Sequence, residues 1–420
     1  MYRRILLLLS AAFIIAVLGC GGQGVDNKEA VGSDSAVGIK YVRQLVAEDN
    51  KTARTVVWQS DIKRAYTLEY RLQGSAQSSM AQSEECSFTD AKTDYIQYRA
   101  QLSGLQPGAA YEYRVNTEKH KGAWHTLHTD AGTGFKALIF PDSQSSDYSG
   151  WQQLARNAYK RHDAVDFFVN MGDLVDNGQD ASQWRAWLNS VEPFSADIPL
   201  APLIGNHEAY SLQWQAAFPQ SYVHLFPVPL NGLPAYPRQF YSFDYGPVHF
   251  TVLDTNFYEM EKIQPELLEE ELQWLERDLA GSKAKWKVVL QHRDVFIYGF
   301  GPESGRAQTQ THFLEFSYRF IPVFEKYCVD AVLTAHLHTY RRRVPLRNFA
   351  PADEGITYIL TGVAGNVRYP KLWGDFAWDA ARAPQPETAN YMIMQADEGK
   401  LVFQAFLPDG KQFDEVVLRK

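Results

Sequence analysis

Cysteine is scarce in this chain, with Cys20, Cys86 and Cys328 the only three in 420 residues. Cys86 and Cys328 fall in segments of different character, so no disulfide framework is expected. Positive charge is also short, since 41 Lys and Arg face 49 Asp and Glu for a formal net charge of −8. Neutralising a nucleic-acid backbone needs a basic surface, so no nucleic-acid partner is expected. An anionic substrate would need help from cations. The apolar run at residues 5–18 is too short to span a bilayer comfortably.

What is present is an ordinary globular composition, 45% hydrophobic and 21% charged, in a chain long enough for two domains with real cores. Arg3 and Arg4 precede the apolar run, as in a signal peptide, which we expect over residues 1–19. It stops at Val17-Leu18-Gly19-Cys20, which resembles a bacterial lipobox. The expectation is a chain beginning at Cys20, lipidated on its sulfur and held on the periplasmic or extracellular face of a bacterial cell envelope. Residues 20–38 carry Gly, Ser, Asp and Asn with little apolar content and read as a flexible tether.

Between residues 39 and 131 short β-type runs recur with turns between them, the pattern of a small β-sandwich. The segment Leu105-Gln-Pro107-Gly108-Ala-Ala-Tyr111 has the form of a tyrosine corner, and the domain resembles fibronectin type III. His120, His125 and His128 near its last strand read as solvent-facing strand residues. From residue 132 to 420 strands alternate with amphipathic helices, so the second domain is α/β. Trp151, Trp184 and Trp187 recur at helical spacing, and a core role suffices for them.

The chemistry gathers where apolar strand runs stop. Residues 135–140 lead to Asp142, residues 166–170 to Gly172-Asp173, and residues 200–204 to Gly205-Asn206-His207-Glu208. Residues 286–290 lead to His292, and residues 331–334 to His336 and His338. One acidic strand tip is more often a cap or turn. Oxygen and imidazole ligands at successive tips instead suit zinc, iron or manganese. His336 and His338 stand two apart, so an extended segment would turn both to one side and let them serve neighbouring ions.

These motifs, Pro-Asp142-x-Gln144, Gly-Asp173-x-x-Asp176, Gly-Asn206-His207-Glu, Gln-His292-Arg and Ala-His336-x-His338, resemble those of the calcineurin-like metallophosphoesterases. The stretch from Tyr241 to Thr255 and the preceding fibronectin-like domain resemble the purple acid phosphatases in particular. The resemblance implies a two-sheet β-sandwich flanked by helices behind the all-β domain. It further implies two divalent or trivalent transition-metal ions (Fe, Mn or Zn), one held by Asp142 and His338, the other by Asn206, His292 and His336, with Asp173 bridging. By the same resemblance a hydroxide between the ions attacks a phosphoester, foremost a phosphomonoester, and His207 points at the scissile ester. A cyclic-nucleotide or other phosphodiesterase is the alternative enzyme, and a phosphate-binding surface protein without catalysis is the alternative outside enzymes. The chain departs from the pattern in three places. Gln144 stands where most relatives have His, Asp176 where the purple enzymes have a Tyr ligand, and Ala335 where a Gly is usual. Gln144, Asp176 or water therefore completes the first metal site.

Overall fold

The computed structural model describes residues 34–162, 164–297, 299, 312–369 and 372–420. The expected signal peptide, the lipidated Cys20 and the tether up to residue 33 lie outside the described residues. The tether expectation needs correction at its end. Asp34–Val37 forms a helical turn, because the Asp34 carboxylate accepts from Ala123 N (3.0 Å) and meets His125 Nε2 (3.0 Å). His125 is thereby half-buried against the turn rather than facing solvent alone. Among the described residues no helix is long and apolar enough to cross a membrane.

The N-terminal strands are buried on one face or on both, Ile39–Leu45 and Arg54–Ser60 almost throughout. Ile39–Leu45, Arg54–Ser60 and Gln97–Leu102 pair antiparallel, and a second sheet of His125–His128, Ala110–Asn116, Thr67–Leu72 and Ser79–Gln82 faces them. Trp58, Tyr66 and Tyr98 fill the space between, with ring centroids 4.8–6.0 Å apart. The tyrosine corner closes as expected, with Gln106 N donating to Tyr111 Oη at 2.9 Å.

The first sheet of this sandwich does not end at the domain boundary. Ile39–Leu45 pairs parallel with Pro199–Pro202, through Gln44 opposite Pro199 and Leu45 opposite Leu200. The result is one sheet of ten strands that runs from the C-terminal hairpins through Gly134–Phe140, Phe167–Asn170 and Pro199–Pro202 into the N-terminal strands. An exposed strand edge invites pairing with other chains, and here the N-terminal strand covers it.

A seven-stranded sheet lies against this one, containing Val248–Leu253, Trp286–Gln291, Ala331–Thr334 and Thr357–Thr361 as parallel neighbours. The two pack through aromatic side chains. Phe167 touches Tyr245 with centroids 4.6 Å apart, and Phe135 touches Phe250 at 5.8 Å. Helices Ser149–Arg161 and Ala181–Ser195 cover one outer face, with Trp151 on Phe140 and on Trp187. Leu267–Gly281 and Ser317–Lys326 cover the other, with Trp274, Leu275, Phe320 and Phe324 in its core. The architecture is the expected one, an N-terminal β domain followed by a two-sheet α/β sandwich with helices outside. Parallel strands whose faces are both covered are apolar throughout, so polar side chains cluster just past their ends.

Candidate metal centre

Two of the strand tips deliver their polar residues through a left-handed backbone that few side chains would accept. Gly172 has φ +91°, and a Cβ there would sit 2.5 Å from His292 Nδ1, so only glycine lets the imidazole in. Asp173 follows at φ 47°, and His336 and His338 hold φ 75° and 52°. Left-handed residues of this kind concentrate at sites where the surroundings over-determine the backbone. The histidine pair is thus in a turn, not the extended segment that alternation suggested. The two rings still part to separate clusters, because two left-handed residues re-aim them.

Two groups of ligand atoms result. Asp173, His292 and His336 form one, Asp142, Asp173 and His338 the other, each with its ligand atoms within 4.8 Å of one another. Asp173 belongs to both. His292 Nε2 lies 3.1 Å from Asp173 Oδ2 and 3.2 Å from Asn206 Oδ1, which brings Asn206 to the first-named group. His338 Nε2 lies 3.6 Å from Asp142 Oδ1 and 3.4 Å from the Gln144 amide nitrogen. Gln144 is therefore at the second group, whereas the Asp176 carboxylate points elsewhere, 3.7 Å from His207 Nδ1.

The surroundings aim these ligands. His292 Nδ1 donates to Met171 O (2.9 Å) and His338 Nδ1 to Val367 O (2.5 Å), which leaves both Nε2 lone pairs facing inward. His336 N donates to both Asp142 oxygens at 3.1 Å. Trp187 Nε1 reaches Ser143 Oγ (3.0 Å), so this core tryptophan also steadies the loop carrying Asp142. Glu208 had no assigned role in the sequence reading. Its carboxylate accepts from Asp173 N, Gly205 N, Leu174 N and Val175 N at 2.7–3.2 Å, clamping the Asp173 and Asn206 loops together. Arg293 was also missed. Its Nη1 lies 3.2 Å from His336 Nε2 and its Nη2 donates to Glu259. Both stand inside quoted motifs, and motif membership was the only signal available.

Electrostatically the site is short of positive charge. Burial pushes the Asp142 carboxyl up, with Asp173 adding to the rise. Burial would raise Asp173 too, but His292 and His207 draw it well below the carboxylate range. Burial opposes charge on His292, yet Asp173 outweighs it and holds the ring at about 9. His338 is pushed down to about 4 by burial, and burial together with Arg293 drives His336 well below its usual value. Gln144 Oε1 and His336 Nδ1 are buried without a hydrogen-bond partner. Carboxylates, the neutral imidazoles of His336 and His338, an Asn206 amide oxygen and orphaned lone pairs around two centres are a donor set for transition-metal cations, which would displace the proton that Asp173 otherwise holds on His292, and the residues present fit such ions.

Residues 127–340 match the calcineurin-like phosphoesterase family, and residues 40–129 match the purple acid phosphatase N-terminal domain. The chain belongs to the calcineurin-like phosphoesterases and is a metal-dependent phosphoester hydrolase. Among curated proteins it is similar to acid phosphatase type 7 of Mus musculus, 24% identical over 76% of each chain. It is likewise similar to acid phosphatase type 7 of Homo sapiens, 25% identical over 86% of each. The fold is that of the purple acid phosphatase PPD1 from yellow lupin (Lupinus luteus) seeds, with TM-score 0.73 at 17% identity over 91% of this chain and 74% of that one.

Proposed function

We propose that this chain hydrolyses phosphomonoesters with two transition-metal ions, one held by Asp142, Gln144 and His338, the other by Asn206, His292 and His336, with Asp173 shared. The observation that supports it is the membership of Asp173 in both ligand groups. A pair of cations about 3.5 to 4 Å apart would supply Lewis acidity to both the attacking water and the phosphoryl oxygens of an in-line displacement. The protein groups do the rest. His207 N donates to Asp173 Oδ1 (2.9 Å) and its Nδ1 to Asp176 O (2.6 Å), so Nε2 is the nitrogen left to meet an ester oxygen. Burial works against its charge, while Asp173 and Asp176 raise the ring above its usual value, and a protonated Nε2 would serve the leaving oxygen. In this reading Asp176 tunes His207 and Gln144 completes the first metal site through its orphaned Oε1.

Hydrolysis of a chromogenic phosphomonoester, with metal content measured before and after chelation, tests the reading. Two metal equivalents and loss of rate on chelation are expected, and full activity at one equivalent would overturn the dinuclear part. We further propose that Cys20 anchors the chain to a bacterial envelope membrane by lipid, on the strength of the Leu-Gly-Cys20 signal alone. Cys20→Ser should move the protein to the soluble fraction, and unchanged membrane association would overturn the anchor.

A further inference from the structure

Trp214 is held in a position that folding alone would not choose. It is 54% exposed and sits at φ 58°, a left-handed conformation that a bulky side chain rarely adopts. Exposed apolar residues scattered singly need no account. This one is not scattered. Its indole centroid is 5.9 Å from the His207 ring at 85° and 6.0 Å from the Tyr210 ring. Tyr210 in turn lies 5.8 Å from His207 at 89°, and its hydroxyl reaches Glu259 Oε1 (3.2 Å).

The loop is built to keep the indole there. Ser211 N donates to Gln215 O and Trp214 N to Ser211 O, both at 2.8 Å, while Ser211 Oγ accepts from Gln213 N and Gln215 N. A bridge between Tyr210 and Ala216 closes the turn. Backbone strain fixed in this way, at the mouth of a reaction site, points to a use for the side chain that it displays.

We propose that Trp214, backed by Tyr210, is a stacking platform for the leaving group, and that the preferred substrate is the phosphate ester of a phenol. The proposal rests on the placement of His207 beside the scissile ester. With the His207 and Trp214 ring centroids 5.9 Å apart, a leaving oxygen within hydrogen-bond reach of His207 Nε2, roughly 3 Å, lets a ring bonded directly to that oxygen come within the roughly 4.5 to 7 Å centroid range of aromatic pairing with Trp214. A glycerol-like alcohol offers no π face to the indole. A nucleoside 5′-phosphate carries its base several bonds farther away. Small aryl phosphates and tyrosine phosphate share the required chemistry.

Calorimetric binding of phosphonates to the metal-loaded full-length protein separates the platform from catalysis. Benzylphosphonate, with CH2 in place of the ester oxygen of phenyl phosphate, should bind about tenfold more tightly than n-propylphosphonate, the size of one stacking contact. The ratio should fall close to one in Trp214→Gly and recover in part in Trp214→Phe. Glycine accepts the left-handed backbone at 214, so loss of the fold does not stand in for loss of the ring. Cyclohexylmethylphosphonate, of similar bulk without a π face, should bind more weakly than benzylphosphonate, and equal binding would overturn stacking. Equal affinity of benzyl- and propylphosphonate, in protein that hydrolyses phosphomonoesters, overturns the platform and leaves the site reading intact. No phosphonate binding at all overturns both. Turnover of phenyl phosphate beside a tyrosine-phosphorylated peptide tells which source carries the phenolic ester, and slower turnover of both than of propyl phosphate overturns the class.

Discussion

Two of the regions that gather buried polar side chains invite comparison, the seam where the N-terminal strands join the ten-stranded sheet and the strand tips around Asp173. At the seam, most donors meet acceptors, although Arg43 Nε, Gln44 Oε1 and Arg54 Nε find no partner. Arg43 donates to Tyr41 O, Gln97 Oε1 and Leu225 O at 2.6–2.9 Å, Gln44 to Thr126 O and Ala196 O, and Asn50 to Ala47 O and Asp244 O. At the tips, acceptors face acceptors. The Asp142, Asp173 and Asn206 oxygens and the His292 and His338 nitrogens crowd each other, and Gln144 Oε1 and His336 Nδ1 find nothing. Burial of polar groups therefore does not mark a functional site by itself. Lone pairs that converge on one point from several strand tips do, because a single cation placed there would satisfy them together.

The sharpest way to break this contrast is to exchange the effects expected of each region. Asp173→Asn removes a charge that both ligand groups share, so phosphomonoester hydrolysis should fall by about a thousandfold while the fold remains, the scale on which active sites lose a principal electrostatic contributor. Steady-state kinetics together with thermal unfolding checks both halves. Arg43→Met should do the opposite. It strands the Leu225 and Tyr41 carbonyls and should cost about 3 kcal/mol of stability, read by denaturant unfolding, with the rate per folded molecule unchanged.

Smaller effects refine the comparison. His249 lies near the seam between Asp244 (2.7 Å) and Asp278 (3.0 Å). Burial would lower it, but the two carboxylates raise it to about 9. A raised folded-state value contributes stability that is whole below the unfolded value near 6.5 and is lost as pH rises through about 9. With Asp244 largely exposed, about 2 kcal/mol should disappear across that window. Thermal unfolding from pH 6 to 10 should show the loss, and His249→Gln should flatten it. The smallest expected change is at Gln144, where a neutral amide replaces imidazole. Gln144→His should tighten the Asp142/His338 ion about tenfold and leave its neighbour nearly unchanged. Two equally tight sites in the wild type, by calorimetric metal titration, would show that Gln144 is not the weak point.

The relation between motif and geometry explains which residues could be read in advance. A ligand at a strand tip leaves a local trace, an apolar run that halts on a carboxylate, amide or imidazole, and Asp142, Asp173, Asn206, His292, His336 and His338 all carry it. Glu208 and Arg293 lack such a trace, since their work is to meet amides and side chains brought from other parts of the chain. Trp214 reads from its neighbours as an unremarkable loop residue. Its φ and its distance from His207 exist only once the loop has closed.

Periodicity and turn chemistry in the sequence by themselves determined an all-β domain followed by α/β alternation, because burial of one or both faces imposes those patterns locally. Tertiary structure alone decided that the two parts share a sheet. Pairing of Leu45 with Leu200 satisfies a strand edge through backbone groups that all residues but proline share, so the choice of partner leaves little mark in the sequence. It also decided that Gln144, not Asp176, stands beside the lone pair of His338, and that Asp173 is common to both ligand groups. These depend on how far apart strand tips come to rest, a distance that the packing of two sheets sets.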